Sequence, residues 1–149
     1  MEATDQVKQI TEELLSKLEI EGSVSVTTDE TGAYRAQIET AETGLLIGFH
    51  GKTLESLQII LGIMVSRELG KWVHVYANVG DYREKREETL MLMAQRAAER
   101  ALAMQRPIEL SRLTPSERRI IHLTLAGDER VTTESVGEGE DRVLIVKPR

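Results

Sequence analysis

Two glycines, Gly48 and Gly51, lie close together between two apolar segments with helical spacing. The first segment is short and covers residues 42–47, and the second runs from about residue 53 to residue 68. Glycine lets a backbone turn sharply and approach another backbone closely. The N–H groups of such a turn, together with the start of the following helix, favour a phosphate. The pair therefore predicts either an anion-holding turn or an ordinary tight connection between two helices.

The pattern on both sides of the glycine turn predicts an α+β domain. Residues 5–18 have the apolar spacing of an amphipathic helix, and residues 72–79 alternate as a strand does. Two further alternating segments, 23–28 and 34–39, are separated by a turn signal and predict a β-hairpin. We therefore expect the order α-β-β-α-α-β in a first domain, residues 1–80.

The rest of the chain predicts a second α+β domain, residues 81–149. A long helix over about 81–104 is ended by Pro107. Thr114, Pro115 and Glu117 have the spacing of a capping box, which predicts a helix over 115–126. Two strands are expected after this helix, over residues 130–135 and 142–147.

The charge of the chain limits how it could bind an anion. Its formal net charge is −6 at pH 7. Residues 1–80 contain 12 acidic and 6 basic side chains, whereas residues 81–149 contain 13 of each, and most of those bases are arginine. Nucleic-acid-binding proteins usually have basic surfaces. An anion site here must therefore depend on local geometry, and arginine suits it because its guanidinium forks onto phosphate.

Several classes of site are not expected. The chain has no cysteine, which excludes disulfides, cysteine-ligated metals and thiol catalysis. Its three histidines have no metal-binding spacing, and no serine lies in a nucleophile elbow. Gly51-Lys52-Thr53 matches the end of a nucleotide-binding P-loop, but position 46 is leucine where that loop needs glycine. We therefore expect no enzyme activity, no cofactor and no metal.

The hydropathy pattern predicts a cytoplasmic protein that does not insert into a membrane. No apolar run approaches the roughly 18 residues that a membrane span requires. The first nine residues are polar and acidic, unlike a targeting peptide.

Two constellations outside the glycine turn could carry chemistry. Arg118 and His122 are four residues apart on the capped helix, so they share a face that could contact a phosphate and a base, or could be a solvated pair. Trp72, His74 and Tyr76 share one strand face, which could be a stacking surface or an ordinary half-exposed face.

Three segments of the chain resemble the bacterial Jag proteins, also called KhpB or EloR. Residues 44–58 resemble the KH segment of that family, and residues 81–87 resemble the start of its connecting helix. Residues 117–122, followed by 131–135, resemble its R-three-H domain. The resemblance implies a KH domain of the bacterial type (α-β-β-α-α-β), joined by a long helix to a small α-β-β R-three-H domain.

The resemblance also implies that the protein binds single-stranded RNA without catalysis. The implied contacts to the RNA backbone are Gly48, Phe49, His50 and Gly51 with Lys52, and a second contact involves Arg118, Arg119 and His122. The loop departs from the family pattern, because relatives usually carry basic residues where this chain has Phe49 and His50. Relatives often carry an extra N-terminal domain and linker as well, and we expect neither here.

The implied role is in bacterial cell elongation and division, as a post-transcriptional regulator or RNA chaperone. Such proteins often act beside a second small KH protein, so that protein or a second copy of this chain is an expected partner. The alternative is a protein-interaction scaffold that dimerises through the KH domain, using Ile59 and Ile63 on a second apolar stripe of the helix after Gly51.

Overall fold

A three-stranded sheet covered on one face by helices forms the first of two units in the computed structural model, which describes residues 1–149. The two units are Met1–Arg83 and Glu84–Arg149. The elements of the first unit are α1 (Ala3–Lys17), β1 (Gly22–Thr28), β2 (Tyr34–Thr40), α2 (Thr43–Ile47), α3 (Lys52–Leu69) and β3 (Val75–Val79). The predicted order α-β-β-α-α-β is confirmed.

The strands of this sheet lie in the order β1-β2-β3. β1 and β2 are antiparallel and β2 and β3 are parallel, with Ile38 opposite both Val24 and Val79. Alternate strand residues point to one face, where they pack against α1 and α3. Val7 of α1 and Leu61 of α3 are fully buried in this core. The other face of the sheet remains exposed.

Two details of the first unit differ from the sequence prediction. β3 begins at Val75 rather than at residue 72, because the backbone N–H of Val73 is bonded to Ser66 Oγ of α3 (3.1 Å) and not to a neighbouring strand. The spacing of Ile60 predicts a place in the buried stripe of α3, but its side chain is 46% exposed. At 3.6 residues per turn it lies on the flank of that stripe, next to Ile63.

The second unit contains a three-stranded antiparallel sheet packed against helices. Its elements are α4 (Tyr82–Met104, which begins in the first unit), β4 (Ile108–Leu110), α5 (Pro115–Leu125), β5 (Val131–Val136) and β6 (Val143–Pro148). The sheet order is β4-β6-β5. Four alanines of α4 are buried in its core with Ile121 of α5: Ala94, Ala97, Ala98 and Ala101.

The second domain has three strands rather than the two that the sequence predicted, because β4 was not predicted. β4 is only three residues long and pairs with β6 far along the chain, Ile108 opposite Val146. The predicted capping box at the start of α5 is confirmed, since Thr114 Oγ1 accepts from the Glu117 N–H (3.2 Å) and Glu117 Oε1 accepts from the Thr114 N–H (3.1 Å). No helix of the chain has both the length and the apolar character needed to cross a bilayer.

Candidate nucleic-acid interface

The connection between α2 and α3 is a tight turn built on unusual backbone angles. Gly48 (φ 70°), His50 (φ 52°) and Gly51 (φ 79°) have positive φ, so the backbone leaves the helical path between α2 and α3. The Gly48 N–H closes α2 by donating to Gly44 O (3.0 Å), and α3 begins directly after Gly51, at Lys52. The sequence prediction of a sharp turn opening a helix is therefore matched by the backbone.

Both glycines are required by their surroundings as well as by their angles. A Cβ on Gly48 would lie 2.8 Å from Thr53 Cβ and would collide with the hydroxyl of the same residue. A Cβ on Gly51 would lie 2.8 Å from the Tyr82 hydroxyl oxygen and 2.9 Å from its Cε2. Since real Cβ atoms do not approach other atoms so closely, a larger residue at position 48 or 51 would displace Thr53 or Tyr82, or the turn itself. We therefore expect the glycines to set the path of the backbone.

The side chains of the turn project into solvent. Phe49 is 58% exposed and stacks on His50, with ring centroids 3.9 Å apart and planes 24° apart. Lys52 is exposed and makes no hydrogen bond or ion pair, and no side chain caps the N-terminus of α3. A cation, a stacked ring pair and an uncapped helix N-terminus suit the phosphate and base of one nucleotide.

The Arg118–His122 face of α5 is turned toward the body of the second unit. Arg118 is 8% exposed and its Nη1 donates to the carbonyl of Leu113 (2.6 Å). Arg118 lies three and seven residues before the buried Ile121 and Leu125, which is the spacing of one helix face. This spacing is a sequence signal that would have indicated burial. The Arg118 guanidinium thus holds the loop before α5.

His122 and Arg119 lie closer to solvent than Arg118. His122 is half-buried, and its Nδ1 is hydrogen-bonded to the hydroxyl of Thr133 on β5. The other ring nitrogen, Nε2, has no partner within the chain. Arg119 is exposed and its guanidinium makes no hydrogen bond or ion pair. The ring of His122 is therefore held in one orientation beside an unpaired cation.

Sequence reasoning missed how the arginines of the second unit divide into two sets. Some are engaged within the protein: Arg86 pairs with Glu117 (2.7 Å), and Arg130 pairs with Asp128 (2.9 Å) and lowers the pKa of that carboxyl below its usual value. Others are exposed, with guanidinium groups that make no hydrogen bond or ion pair: Arg96, Arg100, Arg106, Arg112 and Arg119. The exposed set gives this unit cations for an anionic partner despite its neutral balance.

The remaining polar groups do not suggest a metal centre. No group of three or more His, Cys, Asp or Glu side chains is placed to hold a metal ion.

Comparison with known proteins identifies both units. Residues 4–76 match the family model for the KH domain of KhpA/KhpB, and residues 88–148 match the model of the R-three-H domain. The chain is 32% identical to the RNA-binding protein KhpB of Clostridium symbiosum over 143 residues, which are 95% of this chain and 64% of that protein. It is 36% identical to the protein of the same name from Bacillus subtilis over 130 residues, which are 85% of this chain and 62% of that protein.

A third relative, the RNA-binding protein KhpB of Streptococcus pneumoniae serotype 2, is 36% identical over 110 residues, which are 74% of this chain and 34% of that protein. The chain thus spans somewhat under two thirds of the first two relatives and about a third of the last. With a KH domain of the KhpA/KhpB kind before an R-three-H domain, the chain belongs to the KhpB (Jag) family.

Proposed function

We propose that the chain binds single-stranded RNA without catalysis, through the turn Gly48–Lys52 of the first unit and the exposed part of α5 in the second. The observation that carries the proposal is the turn itself. Three of its residues have positive φ, both glycines are packed too closely for a side chain, and Phe49, His50 and Lys52 face solvent at an uncapped helix N-terminus. The relatives named as RNA-binding proteins support the same interpretation.

In the second unit the three candidate residues have different roles. Arg119, exposed and unpaired, contacts phosphate, and Nε2 of His122 contacts the RNA while Thr133 holds the ring. Arg118 acts as a positioning residue, since its buried guanidinium holds the Leu113 carbonyl and with it the loop before α5. The cellular role that we propose is regulation of transcripts, or an RNA chaperone activity, in bacterial cell elongation and division. RNA recovered from cells by crosslinking to this protein would test that role.

A charge reversal in the turn tests the proposed RNA binding directly. We expect Lys52→Glu to weaken binding of a fluorescently labelled 12-nucleotide RNA several-fold and to reduce the slope of log affinity against log salt by about 1, because one phosphate contact is lost. Fluorescence anisotropy between about 50 and 200 mM salt measures both quantities.

The matched control is Lys17→Glu, which reverses another exposed and unpaired lysine, at the end of α1. The control should retain the affinity and the salt slope of the native chain. Equal effects of the two variants would show that only net charge matters and would remove the turn from the interface.

A second candidate function is dimerisation through α3. Ile59, Ile60 and Ile63 are 59%, 46% and 46% exposed on adjacent positions of this helix, away from the core. Exposed aliphatic side chains grouped in this way are typical of a protein interface. A scaffold of this kind would be a dimer in solution by light scattering and would fail to bind RNA at low salt. The proposed function requires RNA binding, whether the chain is a monomer or a dimer.

A further inference from the structure

A row of exposed aromatic side chains lies on the face of the first sheet opposite the helices. Trp72 is 71% exposed and Tyr76 39% exposed, and His74 between them is exposed as well. The Trp72 and His74 ring centroids are 6.0 Å apart, and those of His74 and Tyr76 are 6.5 Å apart with planes within 21°. Arg35 extends the row, because its Cζ lies 4.8 Å from the Tyr76 centroid. We call these four side chains the aromatic row.

The backbone under the aromatic row is held from both sides. The N–H of Val73 donates to Ser66 Oγ of α3 (3.1 Å), and the carbonyl of His74 accepts from the Tyr34 N–H of β2 (2.9 Å). Tyr76 lies opposite Arg35 in the parallel pairing of β2 with β3. Rings held on a fixed backbone lose little conformational entropy when a partner stacks on them.

The Arg35 end of the row is held by Asp29, whose Oδ2 accepts from Arg35 Nε (3.2 Å). This contact fixes the guanidinium over the Tyr76 ring. Lys71, which precedes Trp72 in the chain, is exposed and makes no ion pair. On this face Asp29 pairs with Arg35, whereas the exposed Glu39 carboxylate accepts from the neutral Gln37 Nε2 (3.0 Å) and makes no ion pair.

The surroundings of the aromatic row favour a nucleobase over an apolar protein segment. The outward side chains of β1 and β2 beside it are mainly hydroxyls and an amide: Ser23, Ser25, Thr27 and Gln37. The aliphatic surface of this unit lies elsewhere, on α3. Aromatic rings in a polar setting, with an arginine over one of them, have the composition of the stacking surfaces that bind single-stranded nucleic acids.

We propose that the aromatic row is a second nucleobase-binding surface of the KH unit, on which bases of single-stranded RNA stack upon Trp72 and continue toward Tyr76 and Arg35. The inference rests on the proposed RNA binding and adds a surface on the face of the sheet opposite the helices, whereas the Gly48–Lys52 turn belongs to the helical layer. Its contribution comes from base stacking, whereas the turn contacts the backbone.

Trp72 is the only tryptophan of the chain, so intrinsic fluorescence reports on this surface directly. We expect titration of the full chain with an unlabelled 12-nucleotide oligoadenylate to quench Trp72 emission, and an abasic oligoribose phosphate of the same length to leave it unchanged. We expect Lys52→Glu to retain the quenching at saturating RNA, because that variant alters only the turn.

Two substitutions separate stacking from general apolar contact. Trp72→Leu should weaken RNA binding, measured by anisotropy of a labelled RNA, about 5- to 150-fold, because stacking on one aromatic ring is lost. Trp72→Phe keeps a π face and should restore most of the affinity. Because Trp72 is exposed, both variants should have the circular dichroism spectrum of the native chain.

The possible failures are distinct. In one outcome, anisotropy shows RNA binding, but Trp72 emission does not change and Trp72→Leu keeps the native affinity. This outcome overturns base stacking on the aromatic row and leaves the proposed function intact. RNA that does not bind at low salt overturns both. A change of Trp72 emission with protein concentration in the absence of RNA, accompanied by self-association that Trp72→Leu removes, would assign the row to a protein contact and would overturn the proposal.

Discussion

Asp29 connects a hairpin turn to the exposed face of the first sheet. Its Oδ1 accepts from the Thr31 hydroxyl (2.6 Å) and from the N–H groups of Thr31 (2.9 Å) and Ala33 (3.1 Å). Its Oδ2 accepts from Arg35 Nε (3.2 Å). These donors, with the Thr31 hydroxyl first, hold the pKa of the Asp29 carboxyl below its usual value although burial acts against them. One side chain therefore closes the turn and orients Arg35.

The lowered pKa gives the stabilisation by Asp29 a definite pH dependence. A carboxyl with a depressed pKa in the folded state contributes stability above its unfolded pKa, near 3.8, and that stability is lost as the pH falls through the folded pKa. We expect Asp29→Asn to have a lower urea midpoint than the native chain at pH 7. The difference should begin to shrink only below about pH 4.

Chemical unfolding at several pH values from 7 to 2 measures this difference. Glu30→Gln is the control, because Glu30 is an exposed neighbour in the same turn and accepts no hydrogen bond. Its midpoint should follow that of the native chain throughout. A difference for Asp29→Asn that persists unchanged at pH 2 would contradict a role for the carboxylate charge.

Single residues also show where sequence reasoning stops. The spacing of Gly48 and Gly51 predicted a sharp turn because glycine alone adopts that backbone path readily, and the structure has it. The four-residue spacing of Arg118 and His122 predicted a shared face, but not which way the face points. Whether this face is buried depends on what packs against α5, and the spacing of two residues does not predict that packing.

Elements were predictable where they bury one side and repeat regularly. α1, α3, α4 and the hairpin strands have long periodic patterns, whereas β4 has three residues and exists through pairing with β6. The aromatic row shows the same limit. Alternation placed Trp72, His74 and Tyr76 on one face, but the parallel pairing that brings Arg35 beside Tyr76 is a tertiary contact.

An ion pair joins two helices of the second unit, α4 and α5. Arg86 Nε of α4 donates to Glu117 Oε2 of α5 (2.7 Å), and both side chains are largely buried, at 14% and 9% exposed. The other carboxylate oxygen of Glu117 closes the capping box. Arg86 lies in a mixed-charge run whose sequence predicts a solvated helix face, so this contact was not expected from the pattern.

Loss of this ion pair should be costly, because the remaining charge would stay desolvated. We expect Arg86→Met to lower the free energy of unfolding of the second unit by about 3 kcal/mol. Lys147→Met is the control, since it breaks the exposed pair with Glu134 (39% and 49% exposed) and should cost about 0–1 kcal/mol. Urea unfolding followed by circular dichroism measures both changes, and equal costs would contradict the buried network.

The charge distribution of the whole molecule argues against a general electrostatic attraction to RNA and favours two local contacts. The chain has a formal net charge of −6, yet Lys52 and Arg119, one in each unit, are exposed and unpaired. If both units hold one RNA, the second contact forms at a high effective concentration once the first has formed. Binding should then weaken when the contact in either unit is removed.

The double variant Lys52→Glu/Arg119→Glu tests this whole-molecule arrangement. On an RNA of 24 nucleotides we expect each single change to reduce the salt slope by about 1 and the double variant by about 2, with losses in log affinity that add. The control Lys8→Glu/Lys17→Glu alters net charge equally at two exposed lysines of α1 and should leave the slope unchanged. A double variant indistinguishable from Lys52→Glu on the long RNA would show that α5 takes no part in binding. If both units contact phosphate, each contact releases counterions, and removing each contact must lower the salt slope.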